Sequence, residues 1–379
     1  MKWKVQLSEL SYDEAETRAV EQVLESKWLT MGERTLKFEH EFSNYLESDC
    51  NGVATSSATA SLHLILRALD LPKGSEVIIP ALTFVSDVNV VLELGLVPVL
   101  ADCSSFIDFN VCDESIMNAI TSKTKVVIIV HFAGYPKCLN KLKEICEKNK
   151  VYLIEDVAHA PGASIDNSMC GTLGDFGFFS FFSNKNLACG EGGFVTSNDK
   201  VLLDKIRLLR SHGMSAPTLD RHKGRATTYD ITTSGYNYRI DEIRSSLAIE
   251  QLKKLDKNNK KRGQLVSRYR KNLEHSKLTI PFCKSDPNSI SAYHIFPVLL
   301  PNKTSRIKVI NHMKAKGIQT SIHYPSFKSF TAHKKWSNEY ETPIADEICA
   351  RELTLPLFPT LKEDEVDYVS EEILEALND

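Results

Sequence analysis

The feature that most constrains this chain is a series of short, unbroken apolar runs separated by helical stretches. The runs are Glu76-Val-Ile-Ile-Pro80, Val97-Pro-Val-Leu-Ala101, Val126-Val-Ile-Ile-Val-His131 and Tyr152-Leu-Ile-Glu-Asp156. They lack the apolar/polar alternation of a half-exposed strand, and continuous apolar character is expected where both faces of a parallel sheet are covered. Between them, residues 83–94, residues 113–120 and Cys138 to Lys148 carry helical spacing. Alternating β and α over this length predicts an α/β fold with a mostly parallel sheet. Ligands of such sheets sit beyond the carboxyl ends of the strands, and Asp156 and His159 fall at one of those ends.

The flanks fill in the organisation. Ser11 and Glu14 read as a capping box opening a helix to about Lys27. Phe38, Phe42 and Tyr45 mark a second helix over 33–46, and residues 200–211 a third that stops at His212-Gly213. Residues 214–236 read as a long loop, and 241–274 as one long helix or a helix pair. The basic run from Lys253 to Arg262 within it reads as a solvated face. Beyond it, a strand at Tyr293–Leu300, a helix at 303–316, a strand at Ile318–His323 and a helix from Glu363 to Leu377 describe a smaller α+β part. With 379 residues, one large and one small domain are expected, divided as 1–250 and 251–379.

Composition excludes several classes. A net charge of −3 gives no footprint for nucleic acid or an anionic membrane. No apolar run reaches the roughly 18 residues of a membrane span, and no apolar leader follows Met1, so a cytoplasmic protein is expected. Nine scattered cysteines with no Cys-x-x-Cys pair argue for reduced thiols, and against a disulfide framework or a zinc site. Histidines are equally dispersed, so no metal is expected. There is no G-x-G-x-x-G after a first strand and no Walker A motif.

Three features carry chemistry. Ser57-Ala58-Thr59 opens a helix, where backbone N–H groups and the helix dipole favour an anion; a plain Ser/Thr cap is the simpler alternative. Asp156 sits at a strand end with His159 three residues on. Phe176-Gly-Phe-Phe-Ser180-Phe-Phe-Ser-Asn-Lys185 is an aromatic strand that delivers Ser180 and one lysine before the glycine-rich turn Gly190-Glu-Gly-Gly193. An ammonium beside such a wall loses hydration, which lowers its pKa, and a neutral lysine amine can form a Schiff base. A pyridoxal phosphate site needs these parts: a lysine, a carboxylate for the ring nitrogen, and donors for the phosphate.

The order of motifs resembles the sugar aminotransferases of the DegT/DnrJ/EryC1/StrS family, within the aspartate-aminotransferase (fold type I) superfamily. The resemblance runs from Trp28-Leu-Thr-Met-Gly32 through Ser57-Ala-Thr-Ala-Ser-Leu62, Thr83-Phe84, His131-Phe-Ala-Gly134, Glu155-Asp-Val-Ala-His-Ala160 and Ser180 to Lys185. It continues over Gly235-Tyr-Asn-Tyr-Arg239 to His323-Tyr-Pro325. It implies pyridoxal 5′-phosphate as cofactor and Lys185 as the Schiff-base lysine and proton shuttle. By the same resemblance Asp156 pairs with the pyridinium nitrogen, His159 lies near the ring hydroxyl, and Phe84 stacks on the ring. Ser57, Ala58, Thr59 and Ser180 hold the phosphate. Asn237 reaches a phosphate from the second subunit, which implies a homodimer with shared active sites. His323 and Tyr324 are implied for the sugar-nucleotide pocket, with Arg239 a weaker substrate candidate. Glutamate is the implied amino donor.

The chain also departs from the family pattern. Phe182 and Ser183 stand where His and Pro are common, Ala58 where Gly is common, and Val157 where Ala is common. These bear on the substrate more than on the reaction. The segment from Gly224 to Tyr238 is similar to 4-keto-sugar aminotransferases acting on UDP-sugars, so a UDP- or dTDP-4-keto-6-deoxyhexose is the expected acceptor, in surface-glycan or amino-sugar biosynthesis. A 3-keto sugar nucleotide or an aminocyclitol ketone is the alternative. Pyridoxamine-dependent dehydratases resemble the chain but carry His in place of the lysine, and a non-enzymatic relative has no reason to keep Lys185, Asp156 and Ser180 together.

Overall fold

The computed structural model describes residues 3–47, 52–215, 228–284, 286–302 and 304–378. A seven-stranded sheet forms its centre: β1 (Val53–Thr55), β2 (Glu76–Pro80), β3 (Val97–Ala101), β4 (Thr124–Val130), β5 (Tyr152–Asp156), β6 (Phe176–Ser180) and β7 (Gly193–Thr196), in the spatial order β1-β7-β6-β5-β4-β2-β3. β7 runs antiparallel to both neighbours and the other neighbouring pairs are parallel. The apolar run of β4 is buried as expected, with Val126 to Ile129 fully enclosed, whereas Val97 at the start of the edge strand β3 and Tyr152 at the start of β5 are exposed. The carboxyl ends of β5 and β6 lie side by side, Phe178 opposite Asp156.

Helices α1 (Glu14–Ser26), α2 (Glu33–Tyr45), α3 (Ala58–Leu69), α4 (Ser86–Glu93), α5 (Asp113–Ala119), α6 (Asn140–Asn149) and α7 (Lys200–Arg210) follow in the large part. The expected cap of α1 is displaced by two residues. Asp13, not Ser11, is the N-cap; its carboxylate accepts from Ala15 N, and Glu16 accepts from Asp13 N at 2.8 Å. Asp caps as well as Ser, and Ser11 instead offers its carbonyl to Gln251. α4 begins later than residue 83, which leaves Thr83 and Phe84 in the loop after β2.

The phenylalanine run is explained by burial on both faces. Phe176 and Phe178 pack with the residues of α3 and β4, whereas Phe179 and Phe181 pack against Phe38 and Phe42 of α2. Phe42 meets the rings of Phe179 and Phe194 edge-on at 5.1 and 4.9 Å. Strand alternation then puts Ser180 on the face of Phe178.

α8 (Glu242–Leu273) is one continuous helix of 32 residues. Residues 250 and 251, the expected domain division, both lie within it. Its basic run is only partly a solvated face: Arg262 is buried and donates to the carbonyls of His294 and Leu357. In the C-terminal part, α9 (Arg306–Ala315), α10 (Pro343–Arg351) and α11 (Glu363–Ala376) accompany an antiparallel pair, β8 (Phe296–Leu299) and β9 (Glu352–Leu355). The expected strand at 318–323 does not form. Its ladder is limited to single bridges, Ile318 to Val5 and Ser321 to Thr354. The strand that pairs with β8 is β9, whose Leu353 and Leu355 join Tyr269 and Phe296 in a separate apolar cluster.

Eight cysteines among the described residues are free thiols. No helix among the described residues is long and apolar enough to cross a membrane. Residues 216–227 of the expected long loop, including the start of the segment compared with UDP-sugar enzymes, lie outside the described residues.

Candidate active site

A cavity of about 360 Å³ opens at the carboxyl ends of the parallel strands. It is lined by Ser57, Ala58, Thr59, Phe84, Asp156, His159, Ser180, Lys185, His323 and Tyr324, residues from five separate stretches of chain. A larger cavity of about 540 Å³ lies at the opposite edge, where β5 and β6 begin, and contains none of them. Asn237 and Arg239 also lie outside the lining of the smaller cavity. Asn237 is exposed and bridges to Ser211, and Arg239 is half-buried.

Lys185 follows β6 in a tight turn in which its N–H donates to Phe182 O at 2.8 Å. Burial brings its amine down to about 8, against the charge of Asp156, which opposes the shift. Asp156 ends β5 and is 5% exposed. One carboxylate oxygen accepts from Ala158 N at 2.8 Å. Burial raises its carboxyl to about 6, opposed by the Ala158 hydrogen bond and by Lys185.

Behind Asp156 stands Asp87 of α4, fully buried. Burial, then the neighbouring Asp156 charge, push its carboxyl well above the usual range, towards the protonated form. Its hydrogen bond helps Asp156 remain ionised. Thr83 Oγ1 donates to Asp87 Oδ2 at 2.6 Å.

The anion end is built by α3. Ser57 caps this helix, accepting from Ala60 N at 3.1 Å, and Ala58 and Thr59 supply first-turn N–H groups that have no intrahelical acceptor. Both the cap and the anion-site readings therefore apply to the same three residues. Gly193, the first residue of β7, lies hard against them: a Cβ there would sit 2.4 Å from the carbonyl of Ser57 and 2.7 Å from Ala58 N. Ser180 Oγ, at the end of β6, accepts a long hydrogen bond from Phe182 N at 3.4 Å. Phe84 is 54% exposed, a ring face open to the cavity.

The histidines are ordered by what they bind. His159 Nδ1 accepts from Ala133 N at 3.3 Å, so its Nε2 carries the proton and meets Tyr324 Oη at 2.8 Å. Burial, then the charge of Lys185, hold His159 neutral, well below its ordinary pKa. His323 Nδ1 lies 2.8 Å from Thr354 Oγ1, which donates to Glu352 at 2.5 Å, and Glu352 also accepts from His323 N at 2.7 Å. Burial followed by Lys185 lowers His323 to about 3.

Sequence reasoning assigned no site role to Thr83, Asp87, Glu352 and Thr354, nor to Asn184, which lines the cavity. A signal existed for two pairs. Thr83 and Asp87 stand four residues apart beside an otherwise apolar helix face, and Glu352 and Thr354 alternate with leucines in a four-residue strand.

These groups match pyridoxal 5′-phosphate in chemistry: an amine for the aldehyde, a buried carboxylate for the ring N–H, an aromatic face, and a helix start for the phosphate. The profile of the DegT/DnrJ/EryC1/StrS aminotransferase family matches residues 11–374. The spore coat polysaccharide biosynthesis protein SpsC of Bacillus subtilis is 32% identical over 376 residues, covering 96% of this chain and 94% of SpsC. The PLP form of Spr1654 from Streptococcus pneumoniae superposes with a TM-score of 0.90 at 28% identity, covering 100% of this chain and 99% of that one. PseC of Helicobacter pylori, an aminotransferase involved in the biosynthesis of pseudoaminic acid, gives 0.89 at 26% identity, covering 100% of both chains. With the match extending over nearly the whole chain, this protein belongs to the DegT/DnrJ/EryC1/StrS aminotransferase family.

Proposed function

We propose that this enzyme uses pyridoxal 5′-phosphate to move an amino group from glutamate to the keto carbon of a nucleotide-linked sugar, a UDP- or dTDP-4-keto-6-deoxyhexose. The observation that carries the reading is the meeting of Lys185 and Asp156 in one cavity with the start of α3. When bound, the cofactor supplies an aldehyde carbon and a ring that draws off electrons. Asp156 would pair with the ring nitrogen and keep it protonated, and the hydrogen bond from Asp87 behind it helps Asp156 remain ionised. Lys185, with its amine brought to about 8, reaches the neutral form readily enough to hold the cofactor through its aldehyde, and would take and return the proton at the reacting carbon. The first-turn N–H groups of α3 with Ser57, Thr59 and Ser180 would hold the phosphate, Phe84 would pack on the ring, and His159, fixed by Tyr324, would lie near its hydroxyl.

The active unit is a homodimer in this reading. Asn237 stands exposed on the chain surface, available to a partner's cavity rather than its own, and Phe84 and Phe182 are both large apolar rings left uncovered in the single chain. His323 and Tyr324 face the sugar. Polysaccharide biosynthesis, the role carried in the name of SpsC, supports a glycan pathway.

Incubation with glutamate and a panel of UDP-, dTDP- and GDP-linked keto sugars, read by mass, tests the proposal. An amino sugar with one nucleotide and one ring position is expected, with ping-pong kinetics. A cofactor-loaded protein that aminates none of the panel and shows no spectral change with any amino donor refutes it.

A further inference from the structure

We propose that Glu352, acting through the Thr354 hydroxyl, sets which ring nitrogen of His323 carries the proton, and so whether His323 offers the cavity a hydrogen-bond acceptor or a donor. The inference deepens the proposed function, since it rests on this cavity being the substrate site.

The geometry is a closed chain. Glu352, Thr354 and His323 are 0%, 1% and 8% exposed. Glu352 Oε2 accepts from the backbone N–H of His323 at 2.7 Å, which leaves Oε1 to meet Thr354 Oγ1 at 2.5 Å. Thr354 Oγ1 in turn meets His323 Nδ1 at 2.8 Å. A hydroxyl has one proton to give. When Glu352 is ionised, Thr354 must donate to Oε1, so Nδ1 must carry the imidazole proton and donate to Thr354. Nε2 is then a bare acceptor. When Glu352 is protonated, its proton lies on Oε1 and donates to Thr354, whose own proton turns to Nδ1. The imidazole proton is then on Nε2, a donor. The imidazole stays neutral throughout, and one proton bound at Glu352 reverses both intervening bonds.

The groups facing this chain are few. Lys185 in the turn after β6 and His159 after β5, whose ring centroid is 6.4 Å from that of His323, lie on the cavity side next to Tyr324, and buried His294 lines a small recess with His323 and Thr354. Arg306 of α9 lies on the other side and donates to the carbonyls of Cys349 and Glu352 at 2.6 and 3.1 Å. Burial raises the Glu352 carboxyl to about 8, so both states fall within ordinary buffers. An acceptor at Nε2 suits a sugar hydroxyl or an ammonium group, and a donor suits a carbonyl or carboxylate.

The test is nitrogen NMR of the ligand-free protein labelled in its histidine rings, with the His323 signal identified by its loss in His323→Asn. At about pH 9.5, the wild type is expected to carry the proton on Nδ1. Glu352→Gln cannot ionise, and its amide N–H donates to Thr354, so the proton moves to Nε2 at every pH. The same tautomer in both proteins overturns the proposal. Should Glu352→Gln fail to fold, Thr354→Ser and Thr354→Val decide. Ser keeps the wild-type tautomer and Val loses it, whereas identical spectra for the two overturn the proposal. Because the readout needs no substrate, it stands apart from the outcome of the keto-sugar panel.

Discussion

Gly193→Ala perturbs the anion end of the cavity without touching a group that reacts. The added Cβ would lie 2.4 Å from the backbone carbonyl of Ser57 and 2.7 Å from Ala58 N. Ordinary contact needs about 1 Å more, and no side-chain rotation can supply it, because both sides are main chain. β7 is anchored by pairing to β1 and β6, so the start of α3 is the part that gives way. Overpacking of this kind costs about 1–3 kcal/mol. At about 2.1 cal/mol/K per residue of unfolding entropy, the 379 residues amount to roughly 0.8 kcal/mol/K, so the melting midpoint falls by only about 1–4 °C. The cofactor should feel the shift more sharply, because the amides proposed to hold its phosphate would move. About 1–3 kcal/mol withdrawn from binding weakens the dissociation constant by about 5- to 150-fold. Gly190→Ala is the control. Gly190 has φ +92° and nothing within 4 Å of its Cβ position, so its substitution strains the backbone by about 1–3 kcal/mol and leaves α3 in place. Absorbance titration with pyridoxal phosphate, beside thermal melts, separates the two. Equal cofactor affinities for both variants would refute the reasoning.

Two further outcomes follow from the same geometry. Lys185 should be labelled by an amine-acylating reagent in ligand-free protein with a midpoint near pH 8, following its lowered pKa, well below the exposed lysines. Asp156 opposes that lowering, so Asp156→Asn should move the midpoint down; peptide mass mapping reads it, and an upward shift contradicts the assignment of Asp156 as the opposing charge. Glu242, at 3% exposure, accepts from Gly32 N, Arg34 N, Thr35 N and Thr35 Oγ1 between 2.7 and 2.9 Å, and so caps α2 from another helix. Glu242→Ala orphans these donors and should cost about 3–5 kcal/mol in denaturant melts, with Glu242→Gln costing less.

The residues that were legible from sequence are those whose chemistry is local. The apolar runs announce a covered parallel sheet because no exposed strand tolerates Val-Val-Ile-Ile-Val. Ser57 to Thr59 announce a helix start because only first-turn amides lack partners. The division of labour at Glu352 was not legible. Residues 318–323 have as much strand character as 352–355, and the choice between them depends on which segment meets β8 and which is drawn up to place His323 at the cavity. Arg262 reads as one charge among many in a basic run, and only the packing of α8 beneath the C-terminal part takes it out of water and gives it two carbonyls.

Lys185 shows the same boundary. Its type, its place after an aromatic strand and its order relative to Asp156 are properties of the sequence, and with the family motifs they establish the fold class and the chemistry. Its lowered pKa, the buried Asp87 behind Asp156, and the chain from Glu352 to His323 come from residues far apart in sequence. Desolvation and hydrogen bonding act through space over a few ångströms, and only the folded chain decides which groups share that space.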